Sequence, residues 1–181
     1  MKKALVLAAA LFATASLAFG AGTCELDLDA VVGNGPDFII AEVSDYIVVD
    51  IYMMVPGVEY GQSIGCIVGN FDGSLEYQGC VYHTPPSWAA VPPAVGEEIT
   101  VQATSWGGTD LLNFNTPILV ATLTFHAAAD CSVDDLVVIS GGVFDMMLGQ
   151  VDFDVLIGGT VQIGTSATEE ASWGAVKGLF R

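Results

Sequence analysis

Between residues 21 and 165 the chain has no lysine and no arginine. Its four basic residues are Lys2, Lys3, Lys177 and Arg181, at the two ends, against 21 acidic residues and a formal net charge of −17. A phosphate cradle, a duplex-DNA face and an RNA groove all need cations to neutralise phosphate, so nucleic acid is excluded as a partner. A Schiff-base lysine and an arginine clamp are excluded for want of the residue. Helical periodicity is also nearly absent between residues 22 and 165. No Gly-x-Ser-x-Gly nucleophile motif occurs, and histidine is limited to His83 and His126. His83 precedes Thr84-Pro85-Pro86 in a loop, and His126 shares a polar strand face with two threonines; neither sits in a nucleophile motif. A glycosidase needs two facing carboxylates of separated pKa, and among so many acids such a pair arises by chance. The expectation is a protein that is not an enzyme, with an unrecognised hydrolase as one alternative.

What is present begins with the ends. Lys2 and Lys3 precede an apolar run over residues 4–17, followed by Ala18 and Gly20. This reads as a secretory signal peptide over residues 1–20. The run is shorter than the roughly 20 residues that span a bilayer, so no transmembrane segment is expected after cleavage. A domain over 21–164 follows, then a polar linker and tail over 165–181. Trp173, Val176 and Phe180 share one face of a short helix, with Lys177 and Arg181 beside them. The tail resembles the Trp-Gly-x-x-Lys-x-Leu-aromatic-Arg endings of some secreted bacterial proteins, which makes Trp173, Lys177, Phe180 and Arg181 a sorting-like tag; a frayed terminus is the other reading. Export to the cell surface or medium, through the periplasm, is expected.

Four cysteines, an even count in an exported chain, suggest two disulfides. Three pairings are open. If Asp72-Gly73-Ser74 closes a hairpin, Cys66 faces Cys80, which leaves Cys24–Cys131. No Cys-x-x-Cys and no Cys/His spacing supports zinc.

In the body, hydrophobic residues make up a period-2 pattern. Ile47, Val49, Ile51 and Met53 share a face; Leu119, Ala121, Leu123 and Phe125 alternate with Thr122, Thr124 and His126; in residues 24–30 acids alternate with leucines. Asn34-Gly35-Pro36, Pro56-Gly57, Asp72-Gly73, Pro92-Pro93, Gly107-Gly108 and Gly141-Gly142 read as turns. About nine short strands so punctuated imply an all-β, two-sheet antiparallel sandwich, a jelly roll.

Tyr46-Ile47-Val48-Val49-Asp50-Ile51-Tyr52 resembles the first core strand of cohesin-type modules. Gly69-Asn70-Phe71-Asp72-Gly73-Ser74-Leu75-Glu76 is similar to their Tyr-Asp-Pro-Ser-x-Leu-Glu segment. Leu119-Val120-Ala121-Thr122-Leu123-Thr124-Phe125 is similar to their Leu-Ala-Thr-Leu-Thr-Phe strand, and Gly159-Thr160-Val161-Gln162-Ile163 closes the set in the expected order. The resemblance covers about residues 25–163. It implies a jelly roll shared with carbohydrate-binding modules and a binding role: a dockerin partner, a glycan, or a structural place at the cell surface.

Three kinds of site follow from the residues. Calcium is the reasonable ion, because it takes oxygen ligands; Asp27 with Asp29, Asp130 with Asp134 and Asp135, and Asp152 with Asp154 are the candidate clusters, none with EF-hand spacing. No other cofactor is expected. Tyr82, Trp88 and Trp106 are a candidate sugar platform, with Trp88 in a Pro-rich loop and Trp106 at a strand end; packing is the competing role of such aromatics. The cationic tail could dock on the acidic body of a neighbour, which makes a self-assembling envelope subunit the second functional reading. The first is a secreted or cell-surface module that binds a protein or a polysaccharide.

Overall fold

Along Tyr46–Met54 buried and outward side chains alternate, with Ile47, Val49, Ile51 and Met53 at the buried positions. Along Glu98–Ser105 the same alternation buries Ile99, Val101 and Ala103. A strand with one apolar face must bury it against another sheet, and the chain resolves this as a two-layer β-sandwich. The structure is a computed structural model that describes residues 21–33, 35–69, 74–95, 98–107, 110–128 and 131–164; of residues 94–95 and 131–135 the backbone alone is described. The signal segment 1–20, Asp130 and the tail with Trp173, Lys177, Phe180 and Arg181 lie outside the described residues.

The strands in chain order are β1 (Thr23–Asp27), β2 (Asp37–Ala41), β3 (Tyr46–Met54), β4 (Gly61–Gly69), β5 (Leu75–Tyr82), β6 (Trp88–Val95), β7 (Glu98–Ser105), β8 (Ile118–Ala127), β9 (Cys131–Asp145), β10 (Gly149–Asp152), β11 (Val155–Ile157) and β12 (Gly159–Ile163). One sheet runs β11-β1-β3-β8-β5. The other runs β2-β12-β9-β4-β7-β6, with β10 also paired to β9. Most pairs are antiparallel, as the alternation implies, but β1–β11 and β12–β2 are parallel, so both sheets are mixed. Between the sheets lie Leu26, Ile51, Leu123 and Phe125 from one side and Ile64, Ile99, Leu136 and Ile163 from the other, all fully buried. Each such side chain contributes roughly 1.5–3 kcal/mol relative to exposure. No helix among the described residues is long and apolar enough to cross a membrane.

Three local expectations are corrected. Pro92 and Pro93 do not mark a surface loop: they lie in β6, which pairs β7 alone and forms the sheet edge. Proline lacks an N–H, and an edge strand has a side that needs none; the register slips between Val91 and Ala94, where the prolines stand. Gly141-Gly142 is not a turn either but the middle of β9. A Cβ at Gly141 would come 2.5 Å from the Gly65 carbonyl oxygen and 2.9 Å from Cys66 Cα. Glycine is there because two backbones meet, not because the chain reverses.

The third correction concerns the cysteines. β4 and β5 do not form a hairpin. β4 pairs β7 and β9, whereas β5 pairs β8 in the opposite sheet. The chain therefore crosses between sheets after Gly69, and Cys66 has no cross-strand partner at Cys80. Neither expected bridge, Cys66–Cys80 or Cys24–Cys131, is formed among the described residues: Cys24, Cys66 and Cys80 carry free thiols. Cys24 of β1 instead lies beside Cys66 of β4 across the core, and that neighbour together with burial holds the Cys24 thiol well above its usual range. Burial, reinforced by the charge Cys66 would carry, pushes the half-buried Cys80 thiol up to about 11.

Two predictions follow. In the reduced native chain, iodoacetamide labels Cys80 while Cys24 and Cys66, 0% and 2% exposed, stay protected until urea is added. Because the thiolate is the nucleophile, the Cys80 rate climbs about tenfold per pH unit from pH 8 to 10; a plateau near pH 8.5, read by mass spectrometry, would contradict the burial. Gly141→Ala should cost about 1–3 kcal/mol in urea unfolding, because the new methyl meets backbone that cannot yield.

Candidate functional site

The outer face of the seven-stranded sheet is built in rows set by the register. One row reads Gln102, Gly65, Gly142, Asp152 across β7, β4, β9 and β10. The next reads Thr104, Ser63, Phe144, Gln150. A third reads Thr100, Ile67, Ser140 across β7, β4 and β9. The middle row has a floor of two glycines between longer walls. A shallow cavity of about 540 Å³ lies over it, lined among others by Gln102, Phe144, Asp152 and Leu156.

The two glycines are not equivalent. At Gly142 a Cβ would press on Val151 O at 2.6 Å and Asp152 Cα at 3.1 Å, so β10 can lie against β9 only if that position has no side chain. At Gly65 a Cβ would meet nothing closer than Val101 O at 3.9 Å, so that floor position is open. Phe144, Ile139 and Leu156 stand partly exposed around it. In these rows Asp152 is the one charged side chain, and the Gln150 side-chain amide donates to it at 2.9 Å. In a chain this acidic, such a face stands apart by its near neutrality.

Of the expected metal residues, Asp27 and Asp29 come together, whereas Asp152 and Asp154 are held by different partners. Asp152 lies at this cavity, held by Gln150, while Asp154 takes a hydrogen bond from the Gly22 amide at 3.3 Å. β10 ends between them, and the chain turns toward β1. Asp134 and Asp135 pair with Val161 and Thr160 of β12 in the backbone register; their side chains, like Asp130, lie outside what is described. Among the described residues the acidic trio that converges is Asp27, Asp29 and Asp37.

The expected sugar platform is divided by the fold. Trp88 is 6% exposed, because its place opposite Ser105 on β7 turns the indole into the core, where its N–H donates to Asp110 O at 2.8 Å. The Tyr82 hydroxyl donates to Val91 O at 2.7 Å and accepts from the Gln102 amide at 3.1 Å. That ties the β5 edge of one sheet to β6 and β7 of the other. Burial pushes the Tyr82 phenol up to about 12. Trp106 alone of the three stands in solvent, 76% exposed.

On the outer face of the other sheet, the Thr122 hydroxyl donates to Asp50 Oδ1 at 2.6 Å, and His83 Nε2 lies 2.8 Å from the same hydroxyl oxygen. The threonine proton is committed to the carboxylate, so the imidazole donates rather than accepts. A nucleophile–base–acid relay needs histidine between the other two; here the hydroxyl is in the middle. His126 faces Glu76 at 3.6 Å and Tyr46 at a ring separation of 5.3 Å.

No family model and no curated protein matches the sequence. Solved structures do. The chain is similar to the cohesin module of a family 33 glycoside hydrolase from Clostridium perfringens, with TM-score 0.62 at 9% identity over 81% of this chain and 98% of that one. It is similar to the sixth cohesin of scaffoldin B from Acetivibrio cellulolyticus, solved in complex with a Cel5 dockerin, with TM-score 0.60 at 14% identity over 80% and 100%. A non-cellulosomal cohesin from the archaeon Archaeoglobus fulgidus matches with TM-score 0.56 at 13% identity over 84% and 98%. At these identities the likeness speaks to architecture: this chain has a cohesin-type fold.

Proposed function

We propose that the chain is a non-catalytic protein-binding module, exported to the cell surface or medium, and that it docks its partner on the glycine-floored face of the seven-stranded sheet. The observation that carries the reading is the cavity over Gly65 and Gly142, nearly uncharged in a chain of net charge −17. A shallow, largely neutral surface with partly exposed Phe144, Ile139 and Leu156 can be desolvated at modest cost, whereas an acidic one would repel most partners at close range. Cohesins of this fold solved with dockerins make a dockerin-like protein the partner class. Export rests on the signal-type segment over residues 1–20. A polysaccharide ligand has less in its favour, since Trp88 is spent in the core and Tyr82 on backbone groups.

Gly65→Leu is the discriminating variant, because its side chain has room to stand in the cavity without disturbing β4. The expected result is an unchanged melting temperature and loss of at least about tenfold in affinity, the effect of blocking a buried interface centre. The measurement is affinity capture from the source organism's own extracellular proteins, followed by titration of the recovered protein against wild type and variant. Equal binding by both, or retention of polysaccharide in place of protein, would overturn the reading.

A further inference from the structure

Asp27 ends β1 with 2% exposure, and Asp37 opens β2 with 7%. Asp29 stands between them in the connecting loop. One carboxylate oxygen from each lies within 4.8 Å of the other two. The loop amides occupy part of this oxygen set. Asp27 Oδ1 accepts from the amides of Asp29 at 3.1 Å and Ala30 at 2.6 Å, Asp37 Oδ2 from Leu28 at 2.7 Å, and Asp29 Oδ1 from Val31 at 2.8 Å. Asp27 Oδ2 is left over. Among the described residues it is the one buried side-chain polar atom with no hydrogen-bond partner.

A buried carboxylate oxygen without a partner is strongly unfavourable, because it has lost its water and gained nothing in return. Its surroundings make matters worse. Glu25, 5% exposed, lies on the same strand, and Asp50 stands opposite Asp27 on β3. No lysine or arginine exists between residues 21 and 165, and the two histidines are engaged elsewhere, His83 with Thr122 and His126 with Glu76. Among the described residues no lysine or arginine is available to sit here. The contrast is Asp145, 1% exposed, whose two oxygens accept from the amides of Tyr60, Met147 and Leu148.

We infer that Asp27, Asp29 and Asp37 bind a calcium ion, with Asp27 Oδ2 as its most buried ligand. An all-oxygen, carboxylate-rich set suits a hard divalent cation, and oxygens this close to one another reach one ion at the 2.3–2.6 Å of calcium. Magnesium demands a stricter octahedron and keeps its waters, so a half-buried trio of carboxylates suits it less. Because β1 belongs to the five-stranded sheet and β2 to the edge of the seven-stranded one, the ion would join the two sheets where the chain first passes between them. The inference is independent of the docking face.

The test is calorimetric titration of calcium into the chelator-treated full chain, with thermal melts in calcium, magnesium, and sodium chloride of matched ionic strength. One equivalent of bound calcium and a melting temperature raised by calcium beyond either control are expected. Asp37→Asn and the exposed Asp29→Asn should each weaken calcium at least about tenfold, no less than the loss of a second-layer partner typically costs. Glu59→Gln, exposed and away from the loop, should not. Should Asp37→Asn fail to fold, Asp29→Asn carries the test, since its side chain is outside the core. Absence of binding heat, an equal shift from magnesium or sodium chloride, or wild-type affinity in the Asp29 variant would overturn the assignment.

Discussion

Carboxylates without counter-charges constrain this protein more than any other feature. In most domains a buried acid is paired with arginine or lysine; here the body of the chain contains neither. The main chain supplies the donors instead. Asp145 gathers the amides of the turn that follows β9 together with that of Tyr60. Glu25 takes the Gly33 amide with both oxygens, at 2.9 and 3.1 Å, and Asp37 takes that of Leu28. Hydrogen bonds to an ionised acceptor are roughly twice as strong as neutral ones, so each of these acids fixes the loop that wraps it. The loop joining β1 and β2 is accordingly shaped around its acids, with Ala30 at φ 65° where the Asp27 carboxylate draws its amide in.

Acids stand on the strands of both sheets: Glu25, Asp27, Asp50 and Glu76 in the five-stranded one, Asp37, Glu98, Asp134, Asp135, Asp145 and Asp152 in the seven-stranded one. Around Gly65 and Gly142, however, the seven-stranded sheet presents hydroxyls, amides, glycine and a few apolar side chains, with Asp152 as the one acid in those rows. Glycine does two jobs there. At Gly141 and Gly142 it permits backbones to approach; at Gly65 it leaves space that solvent or a partner can enter. A neutral hollow on an acidic particle is a physical asymmetry, and it is the asymmetry on which the proposed docking face rests.

Much of the fold was legible in the chain. Alternation marked the buried face of β3 and most of that of β8, since Ile47, Val49, Ile51, Ala121, Leu123 and Phe125 are all in the core, but at the register shift between Ile51 and Tyr52 it is Val120 rather than Leu119 that is fully buried. What misled were signals with two physical meanings. A glycine pair marks a turn or a close approach, and a proline pair marks a loop or an edge strand; sequence spacing does not distinguish them. Glu25 and Asp27 alternate with leucines, a pattern that fits an outward strand face, yet both are buried because the following loop folds back over them. Asp37, the third member of the trio, lies too far along the chain from Asp27 for spacing to link them.

By itself, then, the sequence determined the class of structure and a set of exclusions. Period-2 hydrophobicity dictates sheets with one buried face, and residues 21–165 have no lysine or arginine to hold a phosphate, because both follow from composition and local order alone. Which strands lie side by side was decided by tertiary structure. That choice sent β4 and β5 to opposite sheets, so that Cys66 meets Cys24 of β1 across the core and is not a hairpin partner of Cys80. It also drew Trp88 inward, laid Gly65 beside Gly142, and set Asp37 against Asp27. Pairing across a sandwich depends on the packing of distant segments against one another, and no window of neighbouring residues contains that information.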